Sequence, residues 1–150
     1  MDVLSKEYVL EHGTDFDEKL WFTSYSDEVL DNPEGEGGKP FTGLAYELYN
    51  DGNIAYYCYY KNGFKEGPYI KFYSNGKVKS TDCMKKGQTR GIRKIWYENG
   101  ELKYEGEFKF GICLKYTEWD KQGNIIGQKN TPTNDELELI TRLLKCDGNE

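Results

Sequence analysis

Histidine is almost absent from this chain of 150 residues, and its four cysteines lie far apart. His12 is the single histidine, and Cys58, Cys83, Cys113 and Cys146 form no CxxC pair. Because structural zinc sites draw their ligands from closely spaced cysteines and histidines, this pattern predicts no metal site. We expect the thiols to stay reduced and to act as small apolar side chains.

Long apolar runs and catalytic motifs are also absent. No window approaches the roughly 18 consecutive apolar residues of a membrane helix, and the first residues, MDVLSKEYVLEHG, lack the basic-then-apolar order of a signal peptide. A cytoplasmic location is therefore expected. His12, near Asp15 and Asp17, is the sole histidine base, in a segment without a nucleophile motif. GEGG at 35–38 lacks the strand and helix that bracket a dinucleotide fingerprint. We expect neither an enzyme nor a cofactor.

Glycine, by contrast, recurs with a period of 24 residues in the middle of the chain. The three series are 43, 67 and 91; 52, 76 and 100; and 63, 87 and 111. Each unit has an aromatic-rich run, a turn dipeptide and a second run; the dipeptides are Asp51-Gly52, Asn75-Gly76, Asn99-Gly100 and, in a shortened fourth unit, Gln122-Gly123. Asp-Gly and Asn-Gly favour a type I′ turn between paired strands. The pattern predicts a mainly β fold, an open antiparallel meander of repeated β-hairpins over residues 41–130.

The alternation of side chains along the strands predicts which residues share a face. The equivalent positions of the four units hold aliphatic or large apolar residues, which we interpret as the core: Ile54, Val78, Leu102 and Ile125, with Leu48, Phe72, Trp96 and Trp119. One residue later, on the opposite face, stand Tyr49, Tyr73 and Tyr97. This tyrosine column is either a structural ladder across the strands or a stripe that contacts a partner.

The two ends of the chain do not follow the period. Residues 1–40 are acidic, with degenerate strands expected near Glu7–Leu10 and Lys19–Tyr25 and a turn-rich loop after them. At the other end, Thr133 and Glu136 form a capping box before apolar residues at helical spacing. We therefore predict a capping α-helix and a tail over residues 131–150. We also expect the whole chain, residues 1–150, to form a single domain.

Three segments resemble the MORN-repeat variant family: GKPFTG at 38–43, KNGFKEGPYIKFYSNGKV at 61–78 and YENGELKYEGEFKFG at 97–111. The sequence departs from the pattern at Leu114, where earlier units have glycine, and at Asp120, where they have tyrosine. The resemblance implies an elongated sheet of hairpins. It also implies a function, because many small bacterial members are similar to antitoxins or immunity proteins that neutralise a partner toxin.

Charge and exposed aromatic side chains favour a protein partner over a small-molecule substrate. Residues 1–40 carry a net charge of -8 and residues 41–130 one of +5, which favours oriented association. Tyr57 and Tyr59 alternate with Tyr56 and Tyr60, so one aromatic face of that strand should be exposed. The expected mechanism is occlusion of a toxin domain encoded nearby.

Two charged surfaces are candidates for that contact, and the sequence leaves both open. A basic toxin cleft would meet the acidic segment, whereas an acidic toxin surface would meet the basic stripe at 77–94. An alternative function is binding of that stripe to the phosphates of a lipid surface or a nucleic acid. The candidate partner-binding residues are Tyr49, Tyr57, Tyr59, Tyr73 and Tyr97, the bases Lys77, Lys79, Arg90, Arg93 and Lys94, and the acids Asp15, Asp17, Glu34 and Glu36.

Overall fold

A computed structural model describes residues 2–147 of the chain; the last three residues of the predicted C-terminal tail lie outside the described residues. The helices are α1 (Lys6–His12), α2 (Phe16–Lys19) and α3 (Asn134–Asp147), with a 3-10 turn at Glu34–Glu36. The strands are β1 (Thr14–Asp15), β2 (Trp21–Phe22), β3 (Val29–Leu30), β4 (Gly43–Leu48), β5 (Ile54–Lys61), β6 (Phe64–Phe72), β7 (Val78–Lys85), β8 (Gln88–Thr89), β9 (Gly91–Trp96), β10 (Leu102–Lys109), β11 (Ile112–Trp119) and β12 (Ile125–Lys129).

The predicted meander is confirmed. The main sheet runs in the order β1-β4-β5-β6-β7-β9-β10-β11-β12, with β8 paired to β7. Every pair from β4 onward is antiparallel, and only β1 lies parallel to its neighbour β4. A separate two-stranded hairpin joins β2 to β3. The chain therefore forms an open, mostly antiparallel sheet that is followed by one C-terminal helix.

The glycine period divides into two kinds of turn. At the predicted turn dipeptides only the glycine has a positive φ, 89° at Gly52, and a hydrogen bond from Gly52 N to Tyr49 O closes a turn of four residues. At the return connections both central residues have positive φ, as in Asn62 at 50° and Gly63 at 91°. The type I′ turns therefore lie in the return connections, because a type I′ turn needs positive φ at both central positions. The expectation of type I′ turns at Asp51-Gly52 and its equivalents was wrong.

The N-terminal segment is helical where a degenerate strand was expected. Helix α1 covers the stretch predicted as a strand at Glu7–Leu10, and the Ser5 side chain caps its first turn by accepting a hydrogen bond from Tyr8 N. The short strand β2 lies inside the second predicted stretch, 19–25, where it pairs with β3. Seven helical residues offer too few turns for an apolar period to stand out, which is why the strand prediction was wrong.

The first two hairpins are covered on both faces. On the α1 face, which we define by Leu44, Tyr57 and Ile70, Val9 of α1 is fully buried in a cluster with these side chains. On the opposite α2 face, defined by Ala45, Cys58 and Tyr69, the buried residues come from α2 and the β2–β3 hairpin. The core therefore lies around β4, β5 and β6.

The predicted core columns hold only where this second layer exists. Ile54 and Phe72 are buried, and Val78 packs against the cluster beneath α1. Leu48 and Ile125 are exposed, and the remaining members, in the third and fourth hairpins, are only half-buried. The prediction was wrong for Leu48 and Ile125, because a repeat period fixes equivalent positions in the sheet but not how far its covering layer extends.

The C-terminal helix begins as its sequence predicts. Glu136 N donates to Thr133 Oγ1 at 3.1 Å and Thr133 N donates to Glu136 Oε1 at 2.8 Å, the two hydrogen bonds of a capping box. Lys129 on β12 donates to both Glu136 oxygens, and Ile140 is buried. Ile126 on the same strand stays 60% exposed. The contact between Lys129 and Glu136 thus joins the helix to the last strand, but the helix does not bury Ile126.

Removal of a buried methyl-rich side chain beneath α1 should cost far more than the same removal at the sheet's far end. We expect Ile70→Ala, at a residue with no exposed surface, to lower the free energy of unfolding by about 2 to 5 kcal/mol. The matched control, Ile126→Ala, should cost less than about 0.5 kcal/mol, as exposed substitutions do. Urea unfolding followed by far-UV circular dichroism measures both. Equal losses of stability in the two variants would contradict the placement of the core at one end of the sheet.

Candidate protein-binding site

The predicted tyrosine column is a ladder of hydrogen bonds between successive hairpins. Each hydroxyl crosses to the next hairpin and donates to a backbone carbonyl there: Tyr49 to Phe72 at 2.6 Å, Tyr73 to Trp96 at 2.5 Å and Tyr97 to Trp119 at 2.8 Å. Of the two interpretations of this column, the geometry supports a structural ladder across the strands. Its use as a contact for a partner stays a prediction.

Lysine side chains cover the ring faces of this ladder. Lys79 Nζ lies 5.6 Å from the Tyr73 ring centroid, and Lys103 Nζ lies 5.5 Å from that of Tyr97. These are cation–π distances. Lys77 is exposed in the adjoining turn, where its backbone N–H donates to Asn75 Oδ1. The two tyrosine rings therefore already have cations against them.

Tyr57 is a core residue, so its predicted exposure to a partner was wrong. Its side chain is 1% exposed, and its hydroxyl accepts a hydrogen bond from Leu4 N at 2.9 Å. Tyr59, on the same face, is half-buried against the cluster that holds Val9. Tyr60, on the other face, is also buried. The alternation of aromatic residues did not leave one face free, because α1 and α2 cover opposite sides of β5.

The predicted basic stripe is divided between the two faces of the sheet. Arg93 lies on the α2 face, where its Nε donates to the buried carboxylate of Asp82 at 2.5 Å and its Nη2 to Thr89 Oγ1 at 3.0 Å. Its guanidinium also lies 4.7 Å from the ring centroid of Phe108. The next residue, Lys94, points to the α1 face and pairs with a glutamate of β10 at 3.7 Å. Successive strand residues therefore do not combine into one basic surface.

Arg90, the last of the predicted basic residues, makes a backbone hydrogen bond to β7. Arg90 N donates to Cys83 O at 2.7 Å, and the Arg90 side chain is half-buried. Its role in binding stays a prediction.

The predicted acidic residues lie in two places. Asp15 caps α2, accepting a hydrogen bond from the backbone N–H of Asp17, and the Asp17 side chain is exposed beside the sheet. Glu34 and Glu36 are exposed on the 3-10 turn. The structure brings only Asp17 of these four into the groove described next.

A groove between α2 and the sheet is the concave feature that sequence reasoning missed. Five aromatic rings line this aromatic groove, which has a volume of about 440 Å³: Phe16, Phe22, Tyr56, Tyr60 and Tyr69. Phe16 lies 5.2 Å from Phe22 and 6.3 Å from Tyr60, between ring centroids, while Tyr56 meets Tyr69 edge-on at 5.8 Å. The signals in the sequence were the runs KLWF and YYCYY, but their juxtaposition depends on how α2 folds back on the sheet.

Three charged side chains join these rings in the lining, namely Asp17, Glu47 and Lys65. Burial raises the pKa of Tyr56, and a hydrogen bond with Glu47 raises it further. Burial is also the main cause that raises the pKa of Tyr69 to about 12. These hydroxyls therefore stay protonated at neutral pH and can donate hydrogen bonds within the groove.

Comparison with known proteins identifies the repeats of this sheet. Residues 41–62, 65–86 and 90–110 each match the family model described as MORN repeat variant. This part of the sheet is similar to MORN repeat variants. The resemblance noted in the sequence is thus confirmed for the first three hairpin units, whereas α1, α2 and the β2–β3 hairpin lie outside the matched residues.

One curated relative is similar to part of this chain. The chain is 63% identical over 59 residues to a protein of Bacillus subtilis (strain 168) named immunity protein YwqK. The match covers 39% of this chain and 38% of that protein. The chain therefore spans less than two fifths of this relative.

Over the described residues, no helix is both long and apolar enough to cross a membrane. Within residues 2–147, no three histidine, cysteine or acidic side chains lie together as a group that could hold a metal ion.

The ladder predicts a stability cost for loss of a single oxygen atom. Tyr73→Phe keeps the ring but removes the hydroxyl that reaches Trp96 O, so it should lower the free energy of unfolding by about 1 kcal/mol. Tyr25→Phe is the matched control, because Tyr25 is 76% exposed and should change by less than about 0.5 kcal/mol. Urea midpoints of the two variants compare them directly. A Tyr73→Phe protein as stable as the control would show that the ladder bond contributes nothing to stability.

Proposed function

We propose that this chain is a non-catalytic immunity protein that binds a toxin protein in the cytoplasm and neutralises it by occlusion. The observation that carries the proposal is the open aromatic groove, at the border of the most acidic part of the chain. The name of the relative from Bacillus subtilis supports the same role. On this proposal the chain breaks no bond; it covers the surface that the toxin needs.

The segment that contributes Phe22 to the groove exposes aromatic side chains of the kinds that dominate protein interfaces. Phe22 is 55% exposed, and Trp21 and Tyr25 are exposed on the same segment. Large rings contribute wide contact area while losing little rotamer entropy, and tryptophan and tyrosine are enriched among the residues that carry binding energy. A partner that closes over the groove would bury these rings together with Tyr56 and Tyr69.

Charge indicates which surface of the toxin would meet this one. Residues 1–40 carry a net charge of -8, and Asp17, Glu34 and Glu36 are all exposed. Several bases of the sheet are already engaged, Arg93 by Asp82 and Lys94 by Glu105. Of the two surfaces that the sequence left open, the geometry favours the acidic one. The toxin would then present a basic surface, and opposite charges would speed the encounter.

Co-expression with the products of the adjacent genes tests this function. We expect one of these products to stop growth of the host cell when expressed alone, and co-expression of this chain to restore growth. Affinity purification of the chain should then recover that product as a complex. If no adjacent product is toxic, or if the chain relieves none of them, the immunity proposal is wrong.

Two substitutions on the segment that contributes Phe22 to the groove test its part in that complex. Phe22→Ala and Tyr25→Ala together should weaken toxin binding by about 30-fold or more, which corresponds to the loss of one dominant contact residue of about 2 kcal/mol. The melting temperature should change little, because both side chains are largely exposed. Ile126→Ala at the far end of the sheet is the control, measured by titration calorimetry against the same toxin. Equal weakening by the control would place the interface elsewhere.

A further inference from the structure

We propose that the aromatic groove binds one arginine side chain of the protein partner, with Glu47 as the counter-ion of its guanidinium. This inference rests on the proposed function and names the chemistry at the centre of the contact. The groove has three properties that a guanidinium site requires, namely aromatic walls, a carboxylate in its lining and acidic surroundings.

The walls of the groove attract cations. Aromatic ring faces carry negative electrostatic potential, and an arginine guanidinium stacks on them more often than other cations do. The chain's own lysines show this attraction at Tyr69, because Lys65 Nζ lies 5.1 Å and Lys71 Nζ 5.2 Å from its ring centroid. The rings of Phe16, Phe22 and Tyr56 line the same groove. None of these three has a cation placed over it in the contacts found among the described residues.

The carboxylate of Glu47 belongs to the groove and neighbours Tyr56. Glu47 lies directly opposite Tyr56 in the pairing of β4 with β5, and both residues line the groove. The proximity of Glu47 contributes to raising the pKa of the Tyr56 hydroxyl. An ionised carboxylate accepts about four hydrogen bonds, so Glu47 retains capacity for the two parallel N–H groups of a guanidinium.

The acidic surroundings of the groove attract a cation and its shape selects arginine. Asp17 and Glu47 line the groove together with Lys65, and the ammonium of Lys71 lies over the Tyr69 ring at its border. The excess of negative charge comes from residues 1–40 around the groove, which carry a net charge of -8. A volume of about 440 Å³ between ring faces accommodates a flat guanidinium, which combines stacking with bidentate hydrogen bonds. A lysine ammonium is a compact, strongly hydrated point charge and gains less from such walls. The acidic surface around the groove would draw the same basic partner.

Short peptides test the inference without the toxin. The probe is acetyl-Gly-Ala-Arg-Ala-Gly-amide, compared with the same peptide carrying citrulline, which has the shape of arginine but no charge. In ¹⁵N-resolved NMR titrations at low salt, we expect the arginine peptide to shift the amides of Tyr56, Tyr60 and Tyr69 with millimolar affinity. The citrulline peptide should bind at least 10-fold more weakly, and a lysine peptide at least 3-fold more weakly.

Two charge-neutralising variants separate the groove from general electrostatic attraction. Glu47→Gln keeps an acceptor for Tyr56 and removes the charge, so it should weaken the arginine peptide at least 5-fold. Glu107→Gln is the matched control, because Glu107 is also a half-exposed strand carboxylate but lies on β10, paired with Lys115 at 3.3 Å. Its affinity should stay within 2-fold of the unchanged protein. Melting temperatures of both variants verify that they fold.

Several results would overturn the inference: absence of any peptide-induced shift, equal binding of arginine and citrulline peptides, or equal losses in the two variants. These outcomes are distinct from failure of the proposed function. An arginine peptide that binds the groove in a chain with no toxic neighbour would contradict the immunity role alone. A toxin that binds equally well after Glu47→Gln would contradict the arginine site alone.

Discussion

A single-layer sheet with water on both faces must be stabilised by contacts between its neighbouring strands, because no second layer packs on it. This constraint determines which contacts stabilise the second half of the sheet. Burial of apolar area stabilises β4, β5 and β6, where α1 and α2 lie on opposite faces. Beyond β7 the contacts run within the sheet. Tyrosine hydroxyls reach carbonyls of the next hairpin, Arg93 binds Asp82, and Tyr104 stacks on Tyr116 with ring centroids 5.5 Å apart. Each tie connects neighbouring strands or hairpins, as in other repeat proteins whose units contact only their neighbours.

The candidate site lies where the repeats begin, at the border between the repeating and the non-repeating residues. The first two units that match the MORN repeat variant family supply a regular strand surface, here Glu47, Tyr56 and Tyr69, which alone would be a flat sheet face. The groove arises because non-repeating residues, Phe16 to Phe22, fold back across that surface. The repeat is thus the scaffold, and the residues that make it specific come from the segment before it.

The hairpins could be predicted because their determinants are local. A glycine at a positive φ and an asparagine or aspartate before it decide the turn within a few residues, and the period of 24 repeats that decision. Burial could not be predicted in the same way. Tyr57 and Leu48 both read as strand residues with an aromatic or apolar side chain, yet one is enclosed by α1 and the other is exposed. Their burial differs because of the position of α1, a helix of seven residues. Its position could not be predicted, because the sequence of α1 does not belong to the repeats. The groove was missed for the same reason, since it joins residues more than thirty positions apart.

The charge of the chain follows the same architecture. The sheet carries the excess of bases, but several of its cations lie against tyrosine rings or carboxylates: Lys79 over Tyr73, Lys94 beside Glu105 and Lys115 beside Glu107. Such local pairing shortens the range over which those charges act. The N-terminal acids have no comparable share of bases nearby, because residues 1–40 contain three basic residues against eleven acidic ones. An approaching macromolecule would therefore sense mainly the acidic end. The same forty residues supply the second layer, one wall of the groove and the acidic charge, so that the proposed function would place attraction and contact at one end of the molecule.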